Sequence, residues 1–211
     1  MNRTVFGFTA VALLAAGSSN ASLIITGLAD PDGGTGDVLE LYATSAIADL
    51  SAYNLRKAFN DTSLGDASND TFTLAATSLA AGEFYYLTTD DTDFTQFMGF
   101  DADEEWTGLS INGNDTVGLY LGTTLIDRVL GDADDTDIHG DGWIYRNDSE
   151  GPNTTYTPSE WTATLNSLDS SNNETNAGST TPFPTGTYVP EPTSLALLGL
   201  GGLLVARRRR G

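Results

Sequence analysis

Between residues 22 and 165 the chain never sustains an apolar period long enough for an amphipathic helix. Gly, Asn and Asp instead break it into short apolar runs at intervals of roughly eight to fifteen residues, the pattern of an all-β sandwich. The runs Leu23–Thr26, Val38–Tyr42, Asn54–Phe59, Thr71–Leu74, Glu83–Thr88, Thr116–Leu121 and Thr124–Leu130 read as strands. Successive strand side chains point to opposite faces. Leu39 and Leu41 therefore share one face of the second run, and Val38, Glu40 and Tyr42 the other. Val117, Leu119 and Leu121 likewise share a face. Asn112-Gly113 and Gly122-Thr123 are hairpin-type punctuation. Only Thr92–Gly99, short and acidic at its start, offers a helical alternative.

The two ends have a different character. Met1–Arg3 is weakly basic, Val5–Ala16 mostly apolar, and Ser19-Asn20-Ala21 is a small-residue cleavage pattern before Ser22. This is the layout of a secretory signal peptide over 1–21, cut between Ala21 and Ser22. At the other end Val189-Pro-Glu-Pro-Thr-Ser precedes an uncharged run from Leu195 to Ala206 and four arginines, Arg207, Arg208, Arg209 and Arg210. As a helix, twelve residues reach about 18 Å, short of a hydrocarbon core of about 30 Å. With its start at about residue 194 the helix still needs local thinning and snorkelling by the arginines to insert. The arginines set the orientation, basic end inside and chain outside.

Everything between these ends is acidic. Of the 29 acidic residues in the chain, all but Glu191 lie there, against only Arg56, Lys57, Arg128 and Arg146, a formal charge of −24. Such a surface repels nucleic acid and anionic headgroups, which argues against a nucleic-acid partner. The chain has no cysteine, so a secreted domain must rely on its core in place of disulfides. Its length suffices for one such core.

The Pro190-Glu191-Pro192 triplet, apolar run and arginines resemble the C-terminal sorting signal of PEP-CTERM proteins, over residues 189–211. That resemblance implies an exosortase-type membrane peptidase as partner, cutting near the triplet after the secretion machinery has exported the chain. A second resemblance covers most of the middle. Asp37-Val-Leu-Glu-Leu-Tyr42, Asp49-Leu-Ser-Ala-Tyr-Asn-Leu55, Phe72-Thr-Leu74 and Leu79–Leu87 occur in the order of the lamin tail domain, followed by Asn112–Leu121, Leu125–Val129, Trp143–Arg146 and Ser159-Glu-Trp161. It implies an immunoglobulin-like sandwich over 22–165 and carries no activity with it.

Site chemistry concentrates in one loop, where Asp132, Asp134, Asp135, Asp137 and Asp141 surround His139, Gly140 and Gly142. Hard cations take several carboxylate and carbonyl oxygens, and Gly lets carbonyls turn inward, so a calcium site is one reading. A solvated acidic loop is the other; the twelfth position of a calcium loop is Arg146 and not Glu. One histidine, no cysteine and no nucleophile-elbow sequence leave nucleophilic catalysis without its parts. With so many acids, close carboxylates alone do not indicate glycoside hydrolysis. Trp106, Trp143 and Trp161 offer either core or a sugar-stacking platform. Residues 166–188, rich in Ser, Thr, Asn, Gly and Pro, read as a flexible linker.

The combined expectation is a non-enzymatic structural or binding module, exported, held transiently at the inner membrane, then released to the cell surface or exopolysaccharide matrix. A secreted carbohydrate-binding or carbohydrate-active protein is the alternative.

Overall fold

A computed structural model describes residues 21–31, 36–59, 62–66, 70–131, 136–168 and 175–191. The signal segment through residue 20, Asp132, Asp134, Asp135, Pro192, the apolar helix and Arg207, Arg208, Arg209 and Arg210 lie outside them. Among the described residues no helix is long and apolar enough to cross a membrane.

The described chain is mostly β-structure. Its strands are β1 (Leu23–Ala29), β2 (Val38–Ala43), β3 (Tyr53–Ala58), β4 (Asp70–Thr73), β5 (Phe84–Thr88), β6 (Glu104–Glu105), β7 (Thr116–Leu121), β8 (Thr124–Val129), β9 (Trp143–Arg146) and β10 (Trp161–Thr164), with one helix, α1 (Asp91–Met98). They form a six-stranded sheet in the order β10-β9-β1-β2-β5-β6 and a four-stranded sheet in the order β4-β3-β7-β8. All pairings are antiparallel except β5 with β6.

Strand alternation sorts side chains into two cores. Leu39 and Leu41 of β2 meet Leu55, Val117, Leu119 and Ile144 between the sheets. Val38 and Tyr42 turn the other way, into a second cluster with Phe94, Phe97, Trp143, Phe183 and Tyr188. The six-stranded sheet is thus covered on both faces, and every residue of β1 and β2 is buried. Val117 and Leu119 enter the core as their alternation predicts, but Leu121 overruns its edge and is exposed.

Local chemistry sets the connections. Asp90 caps α1 by accepting from Thr92 N and Asp93 N, and Gly99 ends it in the left-handed region, φ +83°. Gly122, φ +59°, opens the two-residue turn between β7 and β8. Asn112-Gly113 makes no hairpin. It belongs to the loop entering β7, where a Cβ on Gly113 would stand 2.1 Å from Asp137 and 2.3 Å from the Gly140 nitrogen.

One buried ion pair crosses between the sheets. Arg146 of β9 donates through Nη2 to both carboxylate oxygens of Asp127 on β8, at 2.8 Å each, with neither side chain exposed. Asp127 also accepts from the backbone nitrogens of Ile25, Arg128 and Asn153, and Arg146 stacks over Trp161. Every strong acceptor on Asp127 is used, which a buried carboxylate requires.

The described part of the segment expected to be a flexible linker is packed against the body. Phe183 and Tyr188 are only 2% and 5% exposed, and Leu168 is buried with them. These side chains cover apolar surface on the outer face of the six-stranded sheet, which the Ser/Thr/Asn-rich composition conceals. Phe183 sits over Gly27 and Tyr145; a Cβ at Gly27 would come within 2.7 Å of its ring. The residues from Phe183 to Val189 are called the strap below.

Candidate functional site

Two features carry unusual chemistry: the strap and its junction with the C-terminal tail, anchored on Glu40 in the middle of β2, and a group of buried carboxylates where β1 ends and β2 begins.

The junction is built on Glu40. Its place on the apolar face of β2, between Val38 and Tyr42, buries it completely. Burial raises its pKa, and the hydrogen bonds it accepts oppose that shift. Oε1 accepts from Thr26 Oγ1 and from the Tyr145 hydroxyl, both at 2.7 Å, and Oε2 accepts from the strap through Gly186 N at 2.7 Å. The Tyr145 hydroxyl oxygen in turn accepts from Thr187 N and Tyr188 N, at 3.2 and 3.0 Å. Tyr188 donates to the Glu150 carbonyl at 2.8 Å. Val189 N donates to Asp148 Oδ1 at 2.9 Å, while the Val189 carbonyl accepts from Ser149 N at 2.8 Å. Pro190 and Glu191 then line a recess of about 260 Å³ together with Ile24, Thr44, Ser45 and Tyr188.

Ala21 and Ser22, the expected signal-cleavage junction, lie at the same end of the sheet. Thr44 Oγ1 donates to the Ala21 carbonyl at 2.7 Å and Thr44 N to the Ser22 carbonyl at 2.9 Å.

At the other end the β1–β2 connection brings Asp30 and Asp37 together, 8% and 1% exposed. Ile111 N donates to Asp37 Oδ2 at 3.0 Å. Burial and then the charge of Asp37 push the Asp30 carboxyl up to about 8; burial pushes Asp37 up to about 6. Two buried carboxylates in contact do not both ionise, so at neutral pH Asp30 holds a proton and donates it to Asp37. Buried Asp115 adds a third acid, and Lys57 is the nearby base. Its ammonium donates to the Ser110 carbonyl, stands over the Phe59 ring, and has its pKa lowered by burial.

Of the five aspartates predicted to bind calcium, only Asp137 and Asp141 are described. Asp137 Oδ1 accepts from Gly140 N at 2.7 Å and so closes its own turn. Asp141 adjoins Asp30, to which its backbone nitrogen donates. His139 is fully buried and held neutral, its pKa lowered to about 4 by burial. Among the described residues no three acidic or histidine side chains converge closely enough to hold a metal ion. The three tryptophans are all buried: Trp106 and Trp161 lie in the inter-sheet core and Trp143 in the second cluster. They form no exposed stacking platform.

Sequence reasoning placed the tail but missed Glu40, Asp30 and Asp37. A signal existed for Glu40, a carboxylate alternating onto an apolar face. For Asp30 and Asp37 none did, because a Pro-Asp-Gly-Gly run between acids also describes an exposed loop.

Residues 189–210 match the PEP-CTERM protein-sorting motif. That motif points to an exported protein sorted by exosortase, a membrane protease. The lamin tail domain-like part matches no family model. No curated protein and no solved structure matches the chain.

Proposed function

We propose that this chain is a secreted, non-enzymatic module, held at the inner membrane by its tail until an exosortase-type peptidase cuts near Pro190-Glu191-Pro192. The released body then becomes a structural or binding component of the cell surface or exopolysaccharide matrix. The observation that carries the reading is the sorting motif at 189–210, whose first residue, Val189, is hydrogen-bonded to the body. The strongly acidic exterior supports it, since an anionic module stays soluble and is not retained on anionic headgroups. The two-sheet, mostly β architecture supports an all-β body, the class to which the lamin tail resemblance in the sequence would assign it.

The test replaces Pro190, Glu191 and Pro192 together by alanine and follows the protein by cell fractionation. The variant should accumulate at full length in membranes while the unmodified chain is shortened and released. Normal shortening of the variant would end the sorting reading.

A further inference from the structure

Both termini of the described body leave it at one end. β1 starts at Leu23, directly after the Ala21 and Ser22 carbonyls held by Thr44. β2 finishes at Ala43, so Thr44 and Ser45 mark that same end. Val189 is tied to Asp148 and Ser149, just beyond the last residue of β9, and Pro190 and Glu191 share their recess with Thr44 and Ser45. The Asp30–Asp37 pair lies where β1 ends and β2 begins, a strand length away. For a seven-residue strand that is about 23 Å.

We infer that this shared pole faces the membrane during processing, and that the strap stays on the domain after the tail is cut. The inference rests on the sorting reading above and adds to it an orientation and a boundary. Chain reach decides the orientation. Among the described residues Val189 is the last hydrogen-bonded to the body, and Leu195 is the first of the apolar run; six residues span at most about 20–22 Å. Ala21 follows Ala16, the last residue of the other apolar segment, by five residues, at most about 18 Å. Before the signal segment is cut after Ala21 both tethers leave from this pole; once it is cut the C-terminal tether alone holds the pole against the bilayer and turns the Asp30–Asp37 end outward.

Hydrogen bonding decides the boundary. A peptidase takes its substrate as extended chain through free backbone groups. The Val189 N–H and C=O are both engaged by the body, and Gly186, Thr187 and Tyr188 are bonded through their nitrogens. Backbone before Pro190 is therefore withheld from an active site, and the cut falls beyond Val189. Once the tail is gone, Asp148 and Glu150 at this pole repel anionic headgroups, and the domain leaves.

The chain contains no cysteine, so single-cysteine labels report one place each. Ser45→Cys and Asn112→Cys, both at exposed positions at opposite ends, are made in the full chain and labelled with a fluorophore. The chain is reconstituted in vesicles containing nitroxide-labelled phospholipid. Quenching should be several-fold stronger at position 45 than at 112. Equal or reversed quenching in bound chain overturns the orientation. A chain that stays soluble with neither label quenched overturns the sorting reading and the orientation together. In cells that carry the peptidase, intact mass of the mature protein should place its C-terminus at Pro190 or later. A tail removed with a C-terminus at Tyr188 or earlier overturns strap retention and leaves the sorting reading standing.

Discussion

Two regions of this domain, the strap site in the middle of β2 and the loop end where β1 passes into β2, bury carboxylates and accommodate them by different means. At the strap end Glu40 is surrounded by donors: Thr26 and Tyr145 hydroxyls and the Gly186 nitrogen. At the far end Asp30 and Asp37 face each other, with one backbone donor each, Asp141 N to Asp30 and Ile111 N to Asp37, and a proton between them. A buried charge is costly unless fully hydrogen-bonded, and a carboxylate short of donors raises its pKa until a proton does the work. The donors oppose the rise at Glu40 without cancelling it, so the strap rests more on hydrogen-bond geometry and the far end more on pH. The difference teaches where each end is vulnerable: one to loss of packing, the other to a change of medium.

The largest expected effect separates a packed strap from a solvated linker. Phe183→Ala removes a ring buried against Gly27 and Tyr145 and should cost about 3–5 kcal/mol in urea unfolding of the processed domain. In a solvated linker the same change would stay within about 0.5 kcal/mol. A loss that small would return residues 175–188 to the role of a tether and remove the basis for the proposed processing boundary.

Glu40→Gln tests the donor shell more narrowly. The amide group it introduces cannot accept from all three donors, so at least one of the Thr26, Tyr145 or Gly186 groups loses its acceptor. The expected loss is about 1–3 kcal/mol. Hydrogen exchange at the Gly186 and Tyr188 amides should rise along with it; unchanged exchange there would mean that Glu40 does not hold the strap.

The far end should respond to pH, and the sign follows from the shifts. The folded pKa values of Asp30 and Asp37, about 8 and about 6, exceed the unfolded value of 3.8. Each contributes stability that is fully present below 3.8 and lost as pH rises through its folded value. His139 acts oppositely: its folded value, about 4, lies below the unfolded 6.5, so its contribution is present above 6.5 and lost as pH falls. Between about pH 6.5 and 8 the Asp30 proton dominates among these three. Stability should rise as pH falls through that window, by at most about 1.4 kcal/mol per pH unit. Asp30→Asn should flatten the slope and raise stability at pH 8. An unchanged slope in that variant would assign the pH response to other groups, such as Glu40, whose pKa is also raised.

What was legible in the sequence divides along the same line. Strand alternation placed Leu39 and Leu41 against Val117 and Leu119, because a two-residue period maps directly onto the faces of a sheet. The β7–β8 turn was legible because Gly122 needs positive φ. The strap was not, since it is held largely by backbone nitrogens bonding to residues more than 40 positions away. Only Phe183 and Tyr188 hinted at it. The carboxylate pair was hidden for a related reason. Asp37 is bonded by Ile111, and the chain beside Asp30 by Gly142, so burial arrives from distant loops that local composition does not encode. Of the five aspartates proposed for calcium, Asp137 caps its own turn and Asp141 is drawn toward Asp30.

The smallest expected effect asks whether a cation can take the place of the far-end proton. Among the described residues no three acids converge closely enough to hold a metal ion, so a calcium effect here requires carboxylates near Asp30 and Asp37 to draw together as pH rises and the Asp30 proton leaves. Calcium sites of extracellular modules have dissociation constants near 10⁻⁴–10⁻³ M, so about 1 mM calcium would add roughly 0.4–1.4 kcal/mol. For a domain of this size that raises the thermal midpoint by about 1–5 °C over the value in chelator. The gain should be larger at pH 8.5 than at pH 6, because proton and cation compete for the same oxygens. Asp141→Asn should reduce it and Glu40→Gln should not. Equal midpoints in calcium and in chelator at both pH values would end the calcium reading of the loop from Asp132 to Asp141.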